Sequence, residues 1–284
     1  MGDPHAWSYS MSETFKSCPR AWWLGETAQR RVQGRYLGTV TLASLAGQAV
    51  HQSISSEIGL WAQGFRIDVA RAERAAEQCI RDAWAESSTR IREVRNGLSL
   101  ANVSSDRFIN YARARVRDFV RLVWPHFRSH VYVMHESNGS FRIGDVQVWV
   151  RVDLCTRGPG GLIVLTDWKT GRLGPGDVTG MQLGAYSLWA RNHFSVTADR
   201  VMAQLVSLRT CEIMPRYPSD EELAGVQARI LDEVEDWHRR RLSIDFPALP
   251  LPAKCLSCQF LDRCEEGQAT LNAKSVEDLA GDID

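Results

Sequence analysis

Along the 284 residues the spacing of apolar positions changes character several times, and each change marks a different kind of element. After an aromatic-rich opening over residues 1–35, apolar positions recur at helical spacing through 36–130. This predicts helices over Gly38–Ile58, Asp68–Arg95 and Asp106–Arg128, with a break at Asn96-Gly97. From residue 131 the pattern turns strand-like, predicting strands at about 131–136, 140–156 and 161–168. Helical spacing returns over Asp177–His193, where Asp177 can cap the helix after Gly174-Pro175-Gly176. Val201–Thr210 reads as a further buried strand and Ser219–Arg241 as a charged amphipathic helix. A proline-rich link, Pro247 to Pro252, leads into a cysteine-rich stretch, and residues 265–284 form an acidic tail with the composition of a disordered segment. There is no internal repeat. The element order predicts one α/β domain over residues 1–264, with a helical N-terminal region at 36–130 and a core at 131–210.

The chemistry is densest around the last two strands of the first group. Val152-Asp153-Leu154-Cys155 and Leu162 through Lys169 flank Gly158-Pro159-Gly160-Gly161, which predicts an antiparallel hairpin. A turn centred on Gly160 sets Asp153 across from Asp167. Two carboxylates so placed repel unless a cation lies between them, and oxygen ligands at this spacing suit Mg²⁺ or Mn²⁺. Lys169, two residues beyond Asp167, shares its strand face. Two carboxylates and a lysine suffice for metal-assisted hydrolysis of a phosphodiester. The alternative is a solvated hairpin whose charges are merely exposed. Against that, Asp167 closes the apolar run Leu162 to Leu165, and a charge at the end of a buried strand needs a partner.

Two helical pairs and a group of thiols add to this. Gly47 and His51 are one turn apart, as are Gln182 and Tyr186, so each pair shares a helix face. A glycine there lets its helix approach a sheet closely, and His51 can then offer a nitrogen to the metal; a hydrogen-bonded core histidine is the alternative. For Gln182 and Tyr186 the alternative is helix capping and packing. Seven cysteines occur, at 18, 79, 155, 211, 255, 258 and 264, an odd count that argues against a secreted disulfide framework. Cys255-x-x-Cys258-x5-Cys264 can hold one metal centre but needs a fourth thiolate from elsewhere. Cys79, Cys155 and Cys211 sit in apolar or strand-like contexts and read as core residues. Spacing alone does not separate a 4Fe-4S cluster from zinc.

Charge narrows the field without deciding it. The 34 Lys and Arg balance 34 Asp and Glu, so no overall polycation announces nucleic acid, and any DNA site must be a local groove. Arg113, Arg117 and Arg121 on one helix, and the run Arg239-Arg240-Arg241, are candidates that also read as solvated helix faces. No apolar run is long enough for a membrane span and the start of the chain lacks a secretory h-region, so a reducing cytoplasm is expected. No Gly-x-x-x-x-Gly-Lys-Ser/Thr loop is present to drive an ATP motor.

Taken in order, Tyr9-Ser10-Met11-Ser12 to Phe15, Cys18-Pro19-Arg20-Ala21-Trp22, Gly47-x-x-x-His51, Asp153, Asp167-Trp168-Lys169-Thr170-Gly171, Gln182-x-x-x-Tyr186 and the C-terminal cysteines resemble the RecB-like branch of the PD-(D/E)XK nucleases, in its iron-sulfur form. One departure is Val150, where the family commonly has glycine three residues before the first aspartate. The resemblance implies a restriction-endonuclease-like core, a mixed sheet flanked by helices. It implies catalysis by Asp153, Asp167, Lys169 and His51, with Mg²⁺ or Mn²⁺ held by His51, Asp153, Asp167 and the Trp168 main-chain carbonyl. It further implies a 4Fe-4S clasp of Cys18, Cys255, Cys258 and Cys264, zinc being the alternative, and DNA contacts from Gln182 and Tyr186. Size and cysteine layout look most like the stand-alone CRISPR-associated exonucleases and their phage relatives, and are related to the AddB nuclease domain. The expected activity is metal-dependent exonuclease action on single-stranded DNA ends, with Trp22, Trp23 and Trp168 as aromatic lining, in the cytoplasm of a bacterial or phage-infected cell. A helicase, a CRISPR adaptation protein or a second copy of the chain are the partners implied. A non-catalytic DNA-end-binding adaptor and a zinc-clasped interaction module are the competing classes.

Overall fold

A computed structural model describes residues 6–31, 42–86, 104–171, 173, 180–240 and 242–272. The expected break at Asn96-Gly97, the cap at Asp177, Arg241 and the tail from 273 onward lie outside these residues. Six strands form one mixed sheet: β1 (Ala6–Ser8), β2 (Val131–Ile143), β3 (Val146–Arg157), β4 (Ile163–Lys169), β5 (Val201–Ser207) and β6 (Glu212–Arg216). Their order is β1-β3-β4-β5-β6, with β2 also paired to β3. β1 and β3, like β4 and β5, run parallel; the other neighbours are antiparallel.

The central strands are apolar on both faces because helices cover both. Ile163, Leu165, Val201, Ala203 and Leu205 pack on one side with α6 (Met181–Phe194) and α7 (Asp220–Arg239). Trp168, Val206 and Leu208 pack on the other with α3 (Leu42–Ala62), α4 (Val69–Glu86) and α5 (Asp106–Asp118). Parallel strands buried this way read as near-continuous hydrophobic runs, as β4 and β5 do. In α7, Leu223, Val226, Ile230, Val234 and Trp237 make the buried stripe, and Ser219 with Glu222 closes a capping box at its start. The α/β architecture and mixed, helix-flanked sheet are those expected. No helix among the described residues is long and apolar enough to cross a membrane.

Several elements differ from expectation. The strand expected over 140–156 is cut by a two-residue turn at Gly144-Asp145, where Gly144 takes φ 56 and Ile143 pairs with Val146. A run of alternating residues on both sides of so short a turn reads as one strand. β1 and β6 are short strands that apolar spacing does not reveal. The helix expected to reach Arg128 stops at Asp118, continues as a π turn over Phe119–Val123 and tightens to a 3-10 turn over Trp124–Phe127. Pro125, which has no N–H to donate, sits at that change.

The two ends of the described chain meet beside the sheet. Tyr9–Ser17 (α1) and Pro19–Arg31 (α2) bring Phe15 and Trp22 against Trp237 and Phe246, with Trp22 centred 5.1 Å from Trp237 and stacked at 5.4 Å on Phe246. Trp7 Nε1 donates to Glu233 Oε2 at 2.8 Å, Lys16 pairs with Glu233, and Arg20 pairs with Glu266. Trp22 is thus committed to packing.

On β2, Gly139 leaves room for the α6 indole: a Cβ there would fall 2.4 Å from Trp189 Nε1. Gly139→Ala should therefore destabilise the fold by about 1–3 kcal/mol, the usual range for an overpacked core. Denaturant unfolding checks this, and a change below about 0.5 kcal/mol would show that α6 yields freely.

Candidate active site and thiol cluster

β3 and β4 stay paired from Arg157–Ile163 to Leu154–Thr166, the register that a turn centred on Gly160 dictates. One residue further on the strands part, and Asp153 faces Asp167 across the opening. Asp153 Oδ2 accepts the Trp168 N–H at 2.8 Å, so a side chain replaces the next ladder bond. The N–H and C=O of one strand residue leave the same strand edge, so the Trp168 carbonyl also projects toward this opening. The Trp168 ring points the other way, 2 % exposed among Phe119 and Phe127, and cannot line the site.

Asp167 is buried and braced from α6. Its Oδ1 accepts from Gln182 Nε2 at 2.8 Å and lies 3.1 Å from the Tyr186 hydroxyl. Gln182 Oε1 accepts from Lys169 Nζ at 3.0 Å. Lys169 Nζ also lies 2.9 Å from Asp167 Oδ2, so this buried oxygen is met by an ion pair rather than by a hydrogen bond. Gln182 and Tyr186 thus sit one turn apart on α6 with their polar ends on the catalytic candidates. Burial first, then the charge of Asp153, pushes the Asp167 carboxyl up to about 6.

Gly47 and His51 come from α3. A Cβ on Gly47 would lie 3.0 Å from Thr170 Oγ1, so the glycine allows α3 to press against the end of β4. His51 Nδ1 then stands 3.7 Å from Asp153 Oδ2 and 3.9 Å from Glu136 Oε1. Burial works to lower its pKa, yet Asp153 and Glu136 together raise it to about 10. Tyr111 of α5 donates to the Thr170 carbonyl and fastens the same strand end.

Glu136 is the residue that sequence reasoning missed. The pairs His135–Leu154 and Ser137–Val152 leave it facing Asp153 on β2. Its backbone is left-handed, at φ 44, a conformation that costs a non-glycine residue about 1–3 kcal/mol. That turn directs the carboxylate to His51 and to Arg151, whose Nη2 is 2.6 Å away. Burial opposes ionisation of Glu136, but His51 and Arg151 hold its pKa below the usual range. His51, Glu136 and Asp153 offer ligand atoms within 4.8 Å of one another. No local pattern in the sequence signals a strand residue in this conformation.

Around these groups lies a groove of about 870 Å³, bounded by α3, the start of α1, β3 and α6. The donor set fits a hard divalent cation: carboxylates, an imidazole and a buried carboxylate oxygen without a hydrogen bond. Four of the six arginines expected as basic faces are engaged elsewhere. Arg113 and Arg117 pair with Glu73, and Arg239 and Arg240 pair with Glu235 and Asp236.

The second constellation lies where the chain ends meet. Cys18 caps α1, and Leu249 N–H approaches its Sγ at 3.5 Å. Cys255 lies in α8 (Pro252–Ser257), Cys258 ends it, and Cys264 precedes α9 (Glu265–Asn272). Burial first, then the nearby thiols Cys258 and Cys18, raises the pKa of Cys255; burial likewise leads for Cys264, with Cys18 also contributing. Gly267 N–H points to Cys264 Sγ at 3.4 Å, and a Cβ on Gly267 would stand 3.4 and 3.5 Å from the Cys264 and Cys255 sulfurs. The thiols are drawn from both ends of the chain, a donor set that fits an all-thiolate centre. Cys79, Cys155 and Cys211 lie apart, Cys155 fully buried.

The family model described as "PD-(D/E)XK nuclease superfamily" matches residues 6–265. No curated protein matches the chain. Among solved structures, it is similar to a Eubacterium rectale protein described as "Putative exonuclease", at 11% identity and TM-score 0.48 over 99% of this chain and 95% of that one. It is also similar to SSO0001, at 15% identity and TM-score 0.32 over 90% of this chain and 96% of that one.

The raised Asp167 pKa has a stability consequence. Above about pH 6 the folded chain bears a buried, repelled carboxylate, whereas below the ordinary value of 3.8 folded and unfolded chains both hold the proton and the penalty vanishes. In chelator, Asp167→Asn should melt higher than the wild type above pH 6, the gap closing as pH falls toward 4. Thermal melts across that range check it; a variant that melts lower at pH 8 would mean that Lys169 outweighs burial and Asp153.

Proposed function

This chain belongs to the PD-(D/E)XK nuclease superfamily, and on that premise we propose that it is a divalent-metal-dependent deoxyribonuclease acting as an exonuclease on single-stranded DNA ends. The observation that carries the reading is the meeting of Asp153 and Asp167 where β3 and β4 part, with Lys169 2.9 Å from a buried Asp167 oxygen that lacks a hydrogen bond. Mg²⁺ or Mn²⁺ would be held by Asp153, Asp167, His51 and the Trp168 carbonyl, with Glu136 also in reach. When bound, the ion supplies Lewis acidity at the phosphoryl group and an activated water at neutral pH.

The remaining work falls to the chain. Lys169 brings a positive charge to the reacting phosphate and can orient the attacking water. Gln182 holds Lys169 and Asp167 in one geometry through its two amide ends, and Tyr186 limits the freedom of the same carboxylate. These are positioning roles, and contact with DNA comes second to them. α3 walls the groove on one side through Ser44, Gln48, His51 and Gln52, which on this reading favours a strand entering by its end, and the sequence has no ATP-binding loop to drive unwinding of a duplex. Cys18, Cys255, Cys258 and Cys264 are proposed to bind a 4Fe-4S cluster.

Linear and covalently closed single-stranded DNA, each incubated with Mn²⁺ or Mg²⁺ and no ATP, test the activity. Only the linear strand should be degraded, and Asp153→Ala, Asp167→Ala and Lys169→Ala should each lose at least about a hundredfold while remaining folded. Equal cutting of circles would make the enzyme an endonuclease; no cutting with either metal would favour an end-binding adaptor. For the thiol centre, anaerobically purified protein should be brown with iron and acid-labile sulfide in near-equal amounts, and Cys258→Ser should bleach it. A colourless protein holding one zinc would replace the iron assignment and leave the nuclease reading standing.

A further inference from the structure

The described residues that line the groove away from the carboxylate cluster carry little positive charge. Among its described lining residues Arg151 is the one arginine or lysine. The facing wall is the polar side of α3, where Ser44, Gln48, Gln52 and Ser55 are neutral. A duplex gripped by its two backbones needs several cations along each strand, which the described lining does not offer. What it does offer is on β3. Trp149, Arg151 and Asp153 are alternate residues of one strand, and all three line the groove. Trp149 is 49 % exposed, while Trp7, Trp124, Trp168, Trp189 and Trp237 are buried. Its backbone is paired on both sides, to Ser8 of β1 and Ser140 of β2, so the indole stands on a rigid base.

We infer that Trp149 and Arg151 form a substrate subsite in which the indole stacks on an unpaired base of single-stranded DNA and the guanidinium meets the adjoining phosphate. At about 3.4 Å per strand residue, Arg151 lies about 7 Å and Trp149 about 14 Å along β3 from Asp153, so the subsite holds the strand a short way from the scissile bond. Arg151 keeps its side chain 68 % exposed although it pairs with Glu136, so a phosphate can reach it without dismantling the carboxylate cluster. Stacking discriminates by the availability of a base face, which a duplex buries and a single strand presents. The inference rests on the nuclease reading above and names the feature that selects single strands.

Fluorescence anisotropy on the full-length Asp167→Asn protein, which should bind without cutting, tests it. The probes are a labelled oligothymidine, the same oligonucleotide with abasic sites throughout, and a duplex of equal length. Trp149→Ala should weaken oligothymidine binding about five- to a hundredfold, and Trp149→Phe should restore most of it. The abasic strand should bind equally with and without the Trp149→Ala change, since it offers nothing to stack, and Arg151→Ala should weaken both strands and reduce the log–log salt slope by about 0.7. Unchanged oligothymidine binding in Trp149→Ala, or an equal loss on the abasic strand or the duplex, overturns the subsite while leaving the nuclease intact. If no probe binds and the wild type cuts nothing, the nuclease reading has failed and the subsite falls with it.

Discussion

Three carboxylates crowded where two strands separate set the terms for everything around them. Asp153, Asp167 and Glu136 would repel one another strongly, and each is met by a side-chain cation: His51, Lys169 and Arg151. These cations come from three elements, α3, β4 and β3, so the helical region and the sheet must meet in one arrangement for the charges to balance. The close approach of α3 at Gly47, the fastening of Thr170 by Tyr111 and the α6 amide of Gln182 all serve that arrangement. A buried set of like charges is tolerated only when its partners are fixed, and here they are fixed from both faces of the sheet.

That fixing depends on the sheet being covered twice. Successive residues of β4 point to opposite faces of the sheet, so Leu165 enters the core on the α6 side and Trp168 the core on the α5 side. Asp167 lies between them in sequence, so a shift of β4 by one residue would exchange both cores and turn the carboxylate away. The hairpin therefore holds its register through side chains that do no chemistry, and the fork opens at a defined residue.

Much of this was legible before the structure. The Gly-Pro-Gly-Gly turn fixed the register that sets Asp153 opposite Asp167, because a short turn leaves little choice, and the one-turn spacings of Gly47 with His51 and of Gln182 with Tyr186 put each pair on one helix face. What escaped reading depends on conformation at a distance. Glu136 reaches the cluster through a left-handed backbone that no neighbouring residue announces. Trp149 alternates with valines as any half-buried strand residue does, and nothing in that alternation says that its face stays open. Trp168 looked available for stacking because it adjoins the site in sequence; the pleat sends it into the opposite core. The arginines at 113 and 117 resembled a basic face until Glu73, 40 and 44 residues away in sequence, took them up.

The clasp between the chain ends carries a kinetic consequence. Trp7 and Glu233 are joined across 226 positions, and β1 lies beside β3. On a ribosome the N-terminal side of a chain emerges first, so residues 6–31 must wait, without their aromatic partners at 237 and 246, until most of the sequence has been made. Contacts of such long range are reached late, after the entropy of a large loop has been overcome. The groove wall formed by β1 and α1 is therefore among the last parts to settle, and a nascent or truncated chain would hold its hairpin well before it holds a finished site.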